Sequence, residues 1–177
     1  MNVSQTLSAG LLVALLLVSG TALAICNGTN ENTAVASSTP TTDFVDHGDG
    51  TVTHTPTGLM WKRCSEGQTW NGSTCTGTAT TYTWQNALTH ADEQSFAGHS
   101  DWRLPNSKEL RSIVERRCWS PAINTAIFPA TSTSWFWSSS PYANYTGNAW
   151  YVGFHYGLVD ASSPGSSLRV RLVRAGQ

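Results

Sequence analysis

Tyr142, Tyr145, Tyr151 and His155 sit among Ser, Asn and Gly in a stretch, residues 133–157, that holds no Asp, Glu, Lys or Arg. Rings of this kind give broad contact area and hydrogen bonds at low conformational cost, the chemistry of a ligand-facing surface. Downstream, Arg169 and Arg171 stand two apart, so on one strand they share a face and would meet sulfate or other anionic groups. The same stretch carries Trp135, Phe136, Trp137, Trp150, Phe154 and Tyr156 as well. Not all of these rings can be surface. Trp150, Val152, Phe154, Tyr156 and Leu158 alternate and predict the buried face of one strand running from Trp150 to Val159, and Trp135 and Trp137 are expected on one side of another.

Other chemistries are poorly served. Cys26, Cys64, Cys75 and Cys118 lack any Cys-x-x-Cys pair, which argues against zinc. Asp46 and Asp49 flank glycines, but Gly48 and Gly50 occupy places where a calcium loop needs oxygen ligands, so a hairpin turn is the expectation. The five histidines form no His-x-x-x-His pair, and His90 with Asp92 reads as exposed helix. Ser138-Ser139-Ser140 lacks the strand-to-helix elbow of a serine nucleophile. No glycine-rich phosphate loop is present, so the expectation is a non-enzyme without cofactor or metal. A formal net charge of −1 gives no reason to expect nucleic acid as a partner.

The N-terminal residues Leu11–Val18 are apolar and are followed by Ala22-Leu23-Ala24, which predicts a signal peptide over residues 1–24 with cleavage after Ala24. Export implies a periplasmic, cell-surface or secreted product, no integral membrane segment once the signal is removed, and disulfides. A lipid anchor on Cys26 is the alternative use of that cysteine, although Ile25 is large for the position before it. Cys64 and Cys75 bracket the Asn71-Gly72 turn and favour a local bridge, which leaves Cys26 with Cys118. Residues 25–42 are small and polar and read as a flexible leader to a domain over residues 43–177.

Within that domain, Phe44–Asp46, Thr51–His54 and Leu59–Arg63 are expected to form a meander, separated by glycine turns. Thr83 caps one predicted helix, with Trp84, Ala87, Leu88 and Ala91 on its inner face. Asn106 and Glu109 form a capping box for a second, which buries Leu110, Ile113 and Val114 and turns Lys108, Arg111 and Glu115 outward. Residues 168–174 alternate as a last strand. Strands, two helices, then strands make an α+β domain.

The phrases GDGTVTHTPTGLMWKRC, SFAGHSDWRLPNSKEL, FWSSSPY, NAWYVGFHYG and VRLVR, in this order, resemble the Lcl C-terminal domain family of bacterial collagen-like adhesins, across Phe44–Gly176. The resemblance implies a C-type-lectin-like domain with two helices and a twisted antiparallel sheet. The Glu-Pro-Asn or Gln-Pro-Asp and Trp-Asn-Asp triplets that bind calcium in true C-type lectins do not occur, so calcium-dependent sugar binding is not expected. Asp101 to Asn106 is expected to be structural, with Arg103 pairing Asp101 or a carboxylate elsewhere. The function implied is an adhesin-like module that binds a glycan or other extracellular polymer through Tyr142, Tyr145, Tyr151, His155, Arg169 and Arg171. The alternative is a structural or protein-interaction domain of the bacterial envelope.

Overall fold

The architecture is that of a computed structural model, which describes residues 23–143 and 147–176. It is a mixed α+β domain held by two disulfides. The glycine turns produce the expected meander: β1 (Phe44–Asp46), β2 (Thr51–His54) and β3 (Leu59–Lys62), each antiparallel to the next. A small hairpin of β4 (Thr69–Trp70) and β5 (Cys75–Thr76) follows, closed by the Cys64–Cys75 bridge. Then come β6 (Thr81–Tyr82), α1 (Trp84–Asp92) and α2 (Ser107–Ser112). The chain ends in β7 (Trp135–Pro141), β8 (Ala149–Gly153), β9 (Leu158–Ser162), β10 (Leu168–Arg169) and β11 (Val173–Ala175). Two main sheets result, with strand orders β1-β2-β3-β11 and β6-β10-β7-β8-β9.

Local capping starts both helices. The Thr83 hydroxyl accepts the Asn86 N–H, and Asn106 and Glu109 make a reciprocal capping box. The larger sheet is buried on both faces. Phe136, Val152 and Phe154 pack with Leu110 on the α2 side, and Trp137, Tyr151 and Ala149 pack with Ala87 and Ala91 on the α1 side. The buried indoles of Trp137 and Trp102 donate to the carbonyls of Tyr82 and Phe96, so these large rings enter the core without a stranded N–H. Arg103 forms a fork with Glu109, through Nη1 and Nη2 at 2.7 Å each, and Asp101 instead receives Arg174 Nε at 2.7 Å.

Four expectations need correction. Residues 150–159 are a hairpin, not one strand: the chain reverses after Gly153, with Gly157 at φ +72° where a Cβ would collide with Val114. Tyr156 and Leu158 are therefore exposed. Trp135 stands half in solvent at the open end of β7, although Trp137 is buried. Residues 168–174 are divided between the two sheets, β10 in one and β11 in the other.

The fourth concerns residues 25–42, which are docked rather than flexible. Cys26 is bridged to Cys118, Glu31 pairs with Cys118 as an isolated β-bridge, and the Glu31 carboxylate takes the Arg117 guanidinium. Further along, the segment wraps Glu115. That carboxylate, expected outward, is fully buried because α2 ends at Ser112, and it accepts from Ser37 Oγ (2.8 Å), Ser38 N (3.0 Å), Thr39 N (2.8 Å) and Arg117 N (2.9 Å). Burial acts to raise its pKa, but the donors from Ser38, Arg117, Ser37 and Thr39 outweigh it and leave the pKa lowered.

A lowered folded-state pKa means that this contribution to stability is complete above the ordinary carboxylate pKa of 4.5 and is lost as pH falls through the lower folded value. Glu115→Gln is expected to lower unfolding free energy at pH 7 by ~1–3 kcal/mol and to flatten the acid limb of stability against pH. Urea unfolding from pH 7 down to pH 3 measures both, and an unchanged acid limb would contradict the assignment.

Candidate functional site

β10 and β7 form the one parallel strand pair among the described residues, aligned at Arg169 and Phe136. Parallel strands begin at the same end, so the segments entering them, Thr133–Trp135 and Ser166–Arg169, lie side by side. The β8–β9 turn closes the third side, because Trp135 is in register with Gly153. Together they line an open cleft of about 670 Å³ with Trp135, His155 and Arg169 on its walls.

Trp135 is 51% exposed, and its indole stacks on the Tyr151 ring with centroids 4.9 Å apart and planes at 23°. A Cβ on Gly153 would come to 3.2 Å from Trp135 Cδ1, so the indole lies over bare backbone. Gly153 is also in register with Leu158, which places the exposed Leu158 across β8 from Trp135. The result is a flat aromatic platform with one ring face supported from below.

Arg169 is half-buried, and its guanidinium has neither a hydrogen bond nor an ion pair among the described residues; its Nε is shut off from solvent without a partner. Four other arginines contrast with it, since Arg63, Arg103, Arg117 and Arg174 are each paired with a carboxylate. His155 hydrogen-bonds Ser120 Oγ through Nδ1 at 2.8 Å, which leaves Nε2 uncommitted among the described residues. Its ring also meets Tyr156 edge to face at 4.1 Å.

The residues expected to bind ligand are therefore only partly gathered. Arg169 and His155 share the cleft. Tyr151 is buried and acts from beneath Trp135; desolvation, and then the Asp160 charge, raise its pKa. Tyr142 lies at the far end of β7, edge to face with Trp150 at 4.7 Å, and Tyr145 lies outside the described residues.

Arg171 is a correction. It is fully buried, donating to the carbonyls of Lys62 (3.0 Å) and Arg63 and to Thr131 Oγ1 (2.7 Å), with its guanidinium 4.8 Å above the Phe128 ring. Burial lowers its pKa to about 9, against the pull of Glu66, so it remains a cation at neutral pH. It does not share a strand face with Arg169, because the strand ends between them. Trp135 was missed for the opposite reason: its type suggested core, and only its place at the sheet end exposes it.

A model of the Lcl C-terminal domain matches residues 50–174, a span that includes both helices, the cleft, β2 to β10 and most of β11. The chain belongs to the Lcl C-terminal domain family. This is an extracellular, adhesin-type bacterial domain family. No curated protein matches the chain. In this Lcl C-terminal domain, the described residues contain no helix long and apolar enough to cross a membrane, and no three His, Cys, Asp or Glu side chains grouped to hold a metal ion.

Arg171→Met is expected to destabilise the domain by ~3–5 kcal/mol, since two buried carbonyls lose their donor. Trp135→Ala, at a half-exposed site, is expected to cost no more than ~1 kcal/mol. Chemical denaturation of the oxidised protein checks the contrast, and equal losses would refute the burial assignments.

Proposed function

We propose that this chain is an exported, non-catalytic binding module that recognises glycans, sulfated ones included, without calcium, through the Trp135–His155–Arg169 cleft. The observation that carries the reading is the uncompensated Arg169 guanidinium beside a half-exposed, supported tryptophan. A sugar ring stacks its C–H face on the indole, the arginine takes a sulfate or carboxylate in its planar fork, and His155 Nε2 reaches a hydroxyl. The open shape suits an internal segment of a polymer, which must enter and leave the cleft at both ends. Two disulfides and the family suit an extracellular place, and the signal peptide over residues 1–24 would deliver it there. We read the two helices and antiparallel-rich sheets as a C-type-lectin-like fold used without that fold's calcium site.

A second reading has its own observation. Tyr156 is 63% exposed and Leu158 67% exposed, in the β8–β9 turn and at the start of β9, and such an apolar edge suits a protein partner in the envelope.

The test is binding of sulfated and unsulfated polysaccharides to the oxidised protein, at low and high salt and with and without chelator. Arg169→Gln should weaken sulfated ligands roughly tenfold and reduce their salt dependence, and Trp135→Ala should weaken both classes. Chelator should change nothing. Absence of polysaccharide binding by folded protein, with capture of one envelope protein lost on Leu158→Glu, would establish the second reading instead.

A further inference from the structure

A second cleft, of about 480 Å³, opens between the β4–β5 hairpin and α1 and shares no lining residue with the first. Its floor is a closed ring of hydrogen bonds. Lys62 Nζ donates to Glu66 Oε1 at 3.0 Å, Glu66 Oε2 meets His90 Nε2 at 2.8 Å, and the Gln94 amide lies 3.4 Å from both His90 Nδ1 and Lys62 Nζ. His90 thus finds its carboxylate in Glu66, far along the chain, and not in Asp92.

The ring has one consistent proton arrangement. Lysine only donates, so Gln94 turns its oxygen to Lys62 and its NH₂ to His90 Nδ1. Nδ1 is then the acceptor, and Nε2–H donates to Glu66. The floor carries one positive and one negative charge, both buried and neutralised by each other. What remains free is of both kinds: lone pairs on Glu66 and on Asp49 at the mouth, and the second N–H of the Gln94 amide; the Tyr82 O–H, whose pKa is raised by desolvation and by Glu66, lies 3.3 Å from His90 Nε2.

The walls are aromatic. Gly50, at φ +91°, separates Trp70 from Phe96; a Cβ there would approach the two rings to 3.0 and 3.1 Å. Cations already sit against these rings, Arg63 at 4.3 Å from Trp70 and Lys62 at 4.9 Å from Phe96. A cationic ligand would therefore meet Arg63 and Lys62 beside the rings and be repelled, and an anion faces Asp49 and Glu66. Volumes of ~300–1,000 Å³ suit small molecules.

We propose that this cleft binds one neutral, polyhydroxylated ring, a monosaccharide unit, with its C–H face on the aromatic wall and its hydroxyls over the Glu66–His90–Gln94 floor. A hydroxyl both donates and accepts, so it matches the free groups without breaking the internal ion pair. The site is independent of the Arg169 cleft.

The test is titration of the ¹⁵N-labelled, disulfide-bonded protein with neutral monosaccharides, following the indole N–H signals of Trp70 and Trp135, with sulfate and tetramethylammonium as charged probes. The expected result is a saturable shift at Trp70 with at least one sugar, with Trp135 unmoved, and roughly tenfold weaker binding in both Gln94→Leu and His90→Phe. The proposal is overturned if no neutral sugar moves Trp70, if a charged probe moves it and sugars do not, or if neither variant changes the affinity. Loss of polysaccharide binding through Arg169→Gln would leave the Trp70 signal untouched, so the two sites fail separately.

Discussion

Between Arg169 and Val173 the chain leaves one sheet and joins the other, and a buried cation, Arg171, is what that passage is built around. Its guanidinium holds the carbonyls that end β3, while the backbone on either side accepts from Lys62 N (3.1 Å, at Leu172 O) and Glu66 N (2.9 Å, at Val170 O). Lys62 and Glu66 are the charged floor of one cleft, and Arg169, two residues back, is the free cation of the other. One buried side chain thus fixes the relative placement of two surfaces that share no lining residue. Aromatic rings at Phe128 and Phe136 let the charge remain in the interior, facing π-clouds where it has no carboxylate.

What was legible in the sequence was what is decided locally. The caps at Thr83 and Asn106, the glycine turns of the meander, and the Cys64–Cys75 bridge across Asn71-Gly72 each depend on a few neighbouring residues. What was not legible depends on where a strand stops. Alternation over residues 168–174 describes one strand or two equally well, since period two survives a change of sheet. Arg171 therefore seemed to join Arg169 on a surface when it lies in the core. Glu115 was placed outward by extending the helical period one turn past its true end at Ser112. Trp135 and Trp137 share a side chain period and differ only in distance from the sheet end.

The candidate sites divide in the same way. Composition pointed to the aromatic, uncharged stretch and to the late arginines, and the first cleft does draw on both through His155 and Arg169. The supporting tryptophan came from the set assigned to the core. Nothing in sequence spacing linked Glu66 to His90, because the turn from β3 into the β4–β5 hairpin and the last turn of α1 meet only in the folded chain. Histidine pairs with distant carboxylates leave no period to detect.

The Cys26–Cys118 bridge has a mechanical consequence. A pull applied at residue 26 and resisted near the end of the domain passes covalently from residue 26 to residue 118 through sulfur, so the 92-residue interval between them cannot be drawn out as extended chain. That interval contains the meander, both helices and the second cleft. At ~3.3–3.6 Å per extended residue, roughly 300 Å of chain is withheld from stretching. Extension under tension would be confined instead to the chain after residue 118, which carries β7 to β11 and the Arg169 cleft.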